Sequence, residues 1–96
     1  MTVFVLAMEV EVRVPHAQSL KDKRQVVKGL LEGARRRFGV SAAEVGGQDT
    51  WQRAVLGFAV VASTARQADE VMDSVDEFVW SHPELEVVDA VRAWLE

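Results

Sequence analysis

Thr2-Val3-Phe4-Val5-Leu6-Ala7-Met8-Glu9-Val10-Glu11-Val12-Arg13-Val14 alternates with a period of two. Phe4, Leu6, Met8, Val10, Val12 and Val14 fall on one side, and Val3, Val5, Ala7, Glu9, Glu11 and Arg13 on the other. Successive side chains of an extended backbone point to opposite faces, so the stretch predicts a long strand with one face against a core. Such a strand needs a layer above it, and the next segment supplies one. Pro15 ends the strand, and Ser19 with Asp22 three residues later resembles a capping box that starts a helix at Leu20. Leu20, Val27, Leu30, Leu31, Ala34 and Phe38 then recur at helical spacing, and Gly39 supplies the stop.

Further along, residues 40–45 predict a shorter strand, Gly46 and Gly47 open a turn, and residues 53–62 predict a third strand with Leu56, Phe58 and Val60 on one face. These two strands read as a hairpin. Thr64 with Gln67 forms a second capping box, followed by the helical stripe Ala65, Ala68, Val71, Met72, Val75, Phe78 and Val79, which ends before Pro83. Residues 86–94 read as a closing strand whose two faces are equally mixed, leaving its register and facing open. The order βαββαβ consists of two strand-helix-strand halves. It predicts one domain over residues 1–96, of class α+β: a ferredoxin-like sandwich with a four-stranded antiparallel sheet, the first and third strands central, and both helices on one face. The other face would then display Val3, Val5 and Ala7 beside Val55, Gly57, Ala59 and Val61, a small-residue apolar patch of the kind monomers rarely leave wet. A homodimer through this open sheet face is expected. Trp80 and Trp94 are expected to be packing residues.

Composition narrows the function classes. A chain of 96 residues with 49% apolar and 27% charged residues has the makeup of an ordinary globular domain, not of a disordered or low-complexity chain. The absence of cysteine removes disulfides and thiolate metal ligation, and a reducing, cytoplasmic setting is the simplest expectation. The longest apolar run, Ala54 to Ala62, is too short to span a bilayer as a helix, and the first apolar stretch runs into Glu9 and Glu11 without a preceding basic region. Neither a membrane partner nor a signal peptide is expected.

The net charge of −4 conceals a strong asymmetry. From Lys21 to Arg37 seven bases stand against two acids, a local balance of +5. From Asp69 onward nine acids stand against Arg92 alone, a balance of −8. Lys21, Lys23 and Arg24 occupy the first turns of the predicted helix, where the helix dipole favours acids. Lys21, Arg24, Lys28 and Arg35 share one helical face at three- and four-residue steps or their sum. A base-rich helix start attracts phosphate, although a solvated charged face partly neutralised by Asp22 and Glu32 accounts for the same pattern. The hairpin tip Gly46-Gly47-Gln48-Asp49-Thr50-Trp51-Gln52-Arg53 concentrates polar groups. There Trp51 can stack on a base or fill a partner's pocket, and Arg53 can read phosphate or carboxylate. The alternative has Trp51 folded against the sheet edge and Asp49 closing the turn on its own backbone. Gly57-Phe58-Ala59-Val60-Val61 matches part of an RNA-recognition-motif signature. It lacks the flanking base and later aromatics, and Phe58 shares parity with core residues, so base stacking on the sheet is not expected. His16 and His82 have no metal-ligand or nucleophile–base spacing, Glu9 and Glu11 imply no pocket, and neither a catalytic set nor a cofactor loop is visible.

Ser19-Leu20-Lys21-Asp22-Lys23-Arg24, then Ser41-Ala42-Ala43-Glu44-Val45, Asp49-Thr50-Trp51-Gln52-Arg53-Ala54, and the closing Pro83 with Leu85-Glu86-Val87 resemble the YlxP-like family of small bacterial proteins of unassigned function. The resemblance spans nearly the whole chain. It implies a ferredoxin-like fold and a gene often found beside those for translation initiation and ribosome-binding factors. The family motifs fall on residues 19–24 and 49–53, the two places that charge and turn chemistry also mark. The resulting expectation is a non-enzymatic binding module, with no cofactor, that meets ribosomal or other structured RNA through Lys21, Lys23, Arg24, Lys28 and Arg35, with Trp51 and Arg53 as anchors. The alternative is a homo-oligomeric interaction or structural module without nucleic-acid binding.

Overall fold

A computed structural model describes residues 3–48 and 50–96. The elements run β1 (Phe4–Arg13), α1 (Leu20–Phe38), β2 (Ser41–Gly46), β3 (Arg53–Ala62), α2 (Ala65–Trp80) and β4 (Glu86–Trp94). The strands form one antiparallel sheet in the order β2-β3-β1-β4, so the first and third strands are central as expected. Helix α1 packs over β2 and α2 over β1 and β3, both on the side to which Leu6, Met8, Val10, Val12, Leu56, Phe58 and Val60 point, and these side chains are buried. Val27, Leu30, Leu31 and Ala34 of α1 and Ala68, Met72, Val75 and Val79 of α2 close the core from above. The period-two and period-3.6 stripes therefore meet in a single core, the standard solution for a one-faced sheet.

Helix boundaries follow from local chemistry. The Ser19 hydroxyl accepts from the Asp22 backbone N–H at 3.1 Å, while the Asp22 carboxylate reaches back to the N–H of Gln18, also at 3.1 Å. The box thus closes one residue before the cap, and two backbone donors at the helix start find acceptors. Thr64 caps α2 in the same way, accepting from the Gln67 N–H at 3.1 Å. Gly39 ends α1 at φ 67°, a left-handed conformation that costs a side-chain-bearing residue energy.

The structure decides the last strand. Trp94, Arg92 and Ala90 pair with Leu6, Met8 and Val10 and share their helix-facing side. Ala93, Val91 and Asp89 pair with Ala7, Glu9 and Glu11 and lie on the open face. A register shift lies beside Glu11/Val12. Its sequence looked mixed because β4 is an edge strand that α2 covers only partly on one side, leaving Trp94 about half exposed there, while Val91 is exposed on the open face and Val88 at the register shift. Two expectations need correction. Trp80, at the end of α2, is 62% exposed, and Trp94, whose ring meets that of Phe4 in a T-shaped contact at 6.4 Å, is 47% exposed, so neither is a core residue.

Candidate functional site

Helix α1 owes its exposed basic face to the same periodicity that buries its apolar one. Lys21, Arg24, Lys28 and Arg35 all stand on the solvent side. Arg24, Lys28 and Arg35 line a groove of about 320 Å³ between α1 and the edge strand β2, with Val27 and Leu31 as its apolar wall and Glu44 as its acid. Arg35 also bridges the groove, its guanidinium donating to the carbonyl oxygen of Ala42 on β2. That bond satisfies a backbone acceptor of an edge strand, where an unpaired group would otherwise invite another chain.

Lys23 does not join this surface. Its side chain is fully buried, and the expectation that it contacts a partner's phosphates is corrected by its position. It occupies the core side of α1, one turn before Val27, and its stem carries the ammonium beneath the β2–β3 hairpin. There Nζ donates to the carbonyl oxygens of Gly47 at 2.6 Å and Arg53 at 3.2 Å, and pairs with Glu44 at 2.9 Å. A third carbonyl oxygen, that of Gln48, lies at 3.5 Å, so the ammonium's three protons have carbonyl acceptors while Glu44 supplies the counter-charge, the conditions under which a buried ammonium is tolerated. The sequence held a signal for this. Leu20, Lys23, Val27, Leu30 and Ala34 lie three or four residues apart, so Lys23 fills a gap in the apolar stripe. Sequence alone gave no means of finding its partners, which lie more than twenty residues away.

The pairing of Lys23 with Glu44 shapes the groove's charge. Glu44 is only 17% exposed, and the lysine behind it already balances its carboxylate. Arg24, Lys28 and Arg35 therefore present their charge without a free acid among the groove's lining residues.

The hairpin tip divides the remaining candidates. Thr50 N–H donates to Gly47 O at 3.0 Å, closing the turn, and Gly47 adopts φ 75°. The proposed closure by Asp49 lies outside the described residues. Trp51 is 49% exposed, at a tip that Lys23 ties to the first turns of α1. Arg53 belongs elsewhere. It is on the open sheet face, where its Nε donates to the Glu11 carboxylate at 2.8 Å. The structure thus brings Arg24, Lys28 and Arg35 together with Lys21 on the same helix, leaves Trp51 near one end of that row, and sends Arg53 to the other side of the sheet. On α2, Asp73 and Asp69 hold Arg92 of β4 at 2.8 and 3.8 Å, so the only base of the acidic C-terminal segment is already engaged. His82 closes the turn after α2, its Nδ1 accepting from the Glu84 N–H at 3.2 Å.

Comparison with known proteins adds three findings. The family model described as "Protein of unknown function (DUF503)" matches residues 5–92. The "Uncharacterized protein YlxP" of Bacillus subtilis (strain 168) is 42% identical over 78 residues, spanning 81% of this chain and 85% of that protein. A de novo designed protein with a ferredoxin fold, solved by solution NMR, superposes with a TM-score of 0.56 at 13% identity, covering 96% of this chain and 85% of its own. This last likeness concerns the fold alone.

Proposed function

The chain belongs to the DUF503 family, and from the geometry of its basic groove we propose that it is a cytoplasmic, non-enzymatic module that binds structured RNA, ribosomal RNA included, through the phosphate backbone. One observation carries the reading: Arg24, Lys28 and Arg35 line one groove, and its single acid, Glu44, is already paired with the buried Lys23. A row of cations with an apolar floor and no aromatic side chain in the groove suits backbone phosphates rather than bases, so recognition is by charge and shape. Lys21 extends the row toward the helix start, and Trp51, half exposed on the hairpin tip, offers a ring that can stack on an unpaired base.

Filter binding to an RNA hairpin and co-sedimentation with ribosomes, each over a salt series, test the reading. Phosphate contacts release counterions, so affinity should fall steeply with salt. Arg24→Ala/Lys28→Ala should weaken binding at least tenfold and flatten the slope of log affinity against log salt by roughly 1.5. Binding that is absent, independent of salt or indifferent to this double substitution would overturn it. The competing reading, a homo-oligomeric module without nucleic-acid binding, is favoured by the exposed apolar sheet face. It predicts a defined oligomer with no RNA affinity.

A further inference from the structure

The open face of the sheet is organised in rows that cross the strands. Pairing sets Val61 beside Val5, and Leu95, whose N–H donates to Val5 O at 2.8 Å, continues that line. The next row is Ser41, Ala59, Ala7 and Ala93, small on all four strands. The third is Ala43, Gly57, Glu9 and Val91. Beyond it come Val55, Glu11 and Asp89, with Arg53 paired to Glu11. The face is therefore a bulky apolar ridge, a trough and a charged end. Val61 is 69% exposed and Leu95 61%, and the trough belongs to a hollow of about 470 Å³ bordered by Val45 and Leu95.

We propose that this face binds the same face of a second copy, about a two-fold axis that lies in the interface, across the strands, between the ridge and the trough. Rotation about that axis keeps each strand over its own counterpart and exchanges the two rows. Val5, Val61 and Leu95 of one copy then sit over Ala7, Ala59 and Ala93 of the other, and the reverse, so one surface supplies both knob and hole. Moving the axis onto the alanine row would set Val5 over Glu9 and bury a carboxylate among apolar groups, which is costly. In the proposed register Glu9 falls in the outermost covered row, over Val3 at the end of the other copy's sheet where its carboxylate still reaches water, and the Glu11–Arg53 pair stays in water. The rows covered run from Val3 to Glu9, and four rows at about 6.8 Å across four strands at about 4.8 Å give a footprint of roughly 500 Å² per copy. Two such footprints reach about 1,000 Å², the low end for specific interfaces, so the dimer should dissociate on dilution. The inference is independent of the RNA reading, because the ridge and trough lie on the sheet face opposite α1.

Sedimentation velocity over a concentration series, on the full chain and three variants, tests it. The parent should pass from monomer to dimer as concentration rises. Ala59→Val fills the trough and Val61→Ala lowers the ridge, and each alone should weaken the dimer at least tenfold. The double variant exchanges ridge and trough and should recover most of that loss. Circular dichroism of each variant confirms folding, and Arg24→Ala/Lys28→Ala should dimerise like the parent. A chain that stays monomeric at millimolar concentration, a dimer indifferent to the single substitutions, or a double variant as weak as the two losses combined would each overturn the proposal.

Discussion

Lys23 illustrates how one side chain can be misread by its type and explained by its place. A lysine among lysines and arginines belongs, by composition, to a basic surface. This one lies on the core side of α1 and ties the hairpin tip to the helix through the carbonyls of Gly47, Gln48 and Arg53 and an ion pair with Glu44. Removing one member of a buried ion pair leaves the other uncompensated, at a typical cost of 3–5 kcal/mol, whereas removing both charges costs less. Lys23→Met keeps the stem and deletes the charge, and it should destabilise the fold by about 3 kcal/mol in urea unfolding, since Glu44 retains slight exposure. Lys23→Met/Glu44→Gln should recover part of that loss. Equal stability of parent and Lys23→Met would show that the clip holds nothing. Arg53 is the complementary case: its charge is exposed, but its partner Glu11 places it on the face opposite the basic groove.

Among the elements, α1 must serve two surfaces. Its apolar stripe packs on the sheet while its flank meets α2, and that second contact is close. A side chain added at Gly33 would put its Cβ 2.9 Å from the ring of Phe78, which in turn meets Phe38 edge-on at 5.6 Å and lies beneath the Arg37 guanidinium. Overpacking such a contact typically costs 1–3 kcal/mol. Gly33→Val should therefore lower the thermal midpoint by on the order of 10 °C, as read by circular dichroism. Ser19→Ala, which removes the cap acceptor for the Asp22 N–H, should cost about 1 kcal/mol. The two edge strands differ in their protection. β2 is short, carries a register shift between Glu44 and Gly46, and has a carbonyl occupied by Arg35. β4 is longer, and Asp89 answers the N–H of Ala90 at 2.9 Å. Both edges thus have an acceptor or donor blunted by a charged side chain, as exposed edges of natural sheets commonly do.

At the scale of the molecule, charge and apolarity are sorted onto different surfaces. The basic α1 and acidic α2 lie side by side on one layer, and the sheet face behind them is apolar at one end and charged at the other. An anionic ligand in the α1 groove would feel the field of α2 at low salt and little of it at high salt, because the Debye length is about 10 Å at 0.1 M and about 3 Å at 1 M. Glu70→Gln/Glu77→Gln should accordingly tighten RNA binding two- to threefold near ~50 mM salt and leave it unchanged near ~1 M. Filter binding at the two salt concentrations reads this directly, and an equal effect at both would rule out a long-range origin.

The alternation of residues 2–14, the two capping boxes and the helical stripes determined the element order, the central position of β1 and β3, and the burial of Phe58. The elements and their buried faces follow from chain-local periodicity and from the need of every apolar face to be covered, and the strand order from the two strand-helix-strand halves. Lys21, Arg24, Lys28 and Arg35 were legible as one exposed row for the same reason. Tertiary structure alone decided which way β4 faces, because an edge strand has no well-covered side to write a clear pattern into its sequence. It alone also decided the fate of Lys23 and Arg53, since a charge is assigned to surface or interior by its partner, and Glu44 and Glu11 reach them only once the sheet has formed.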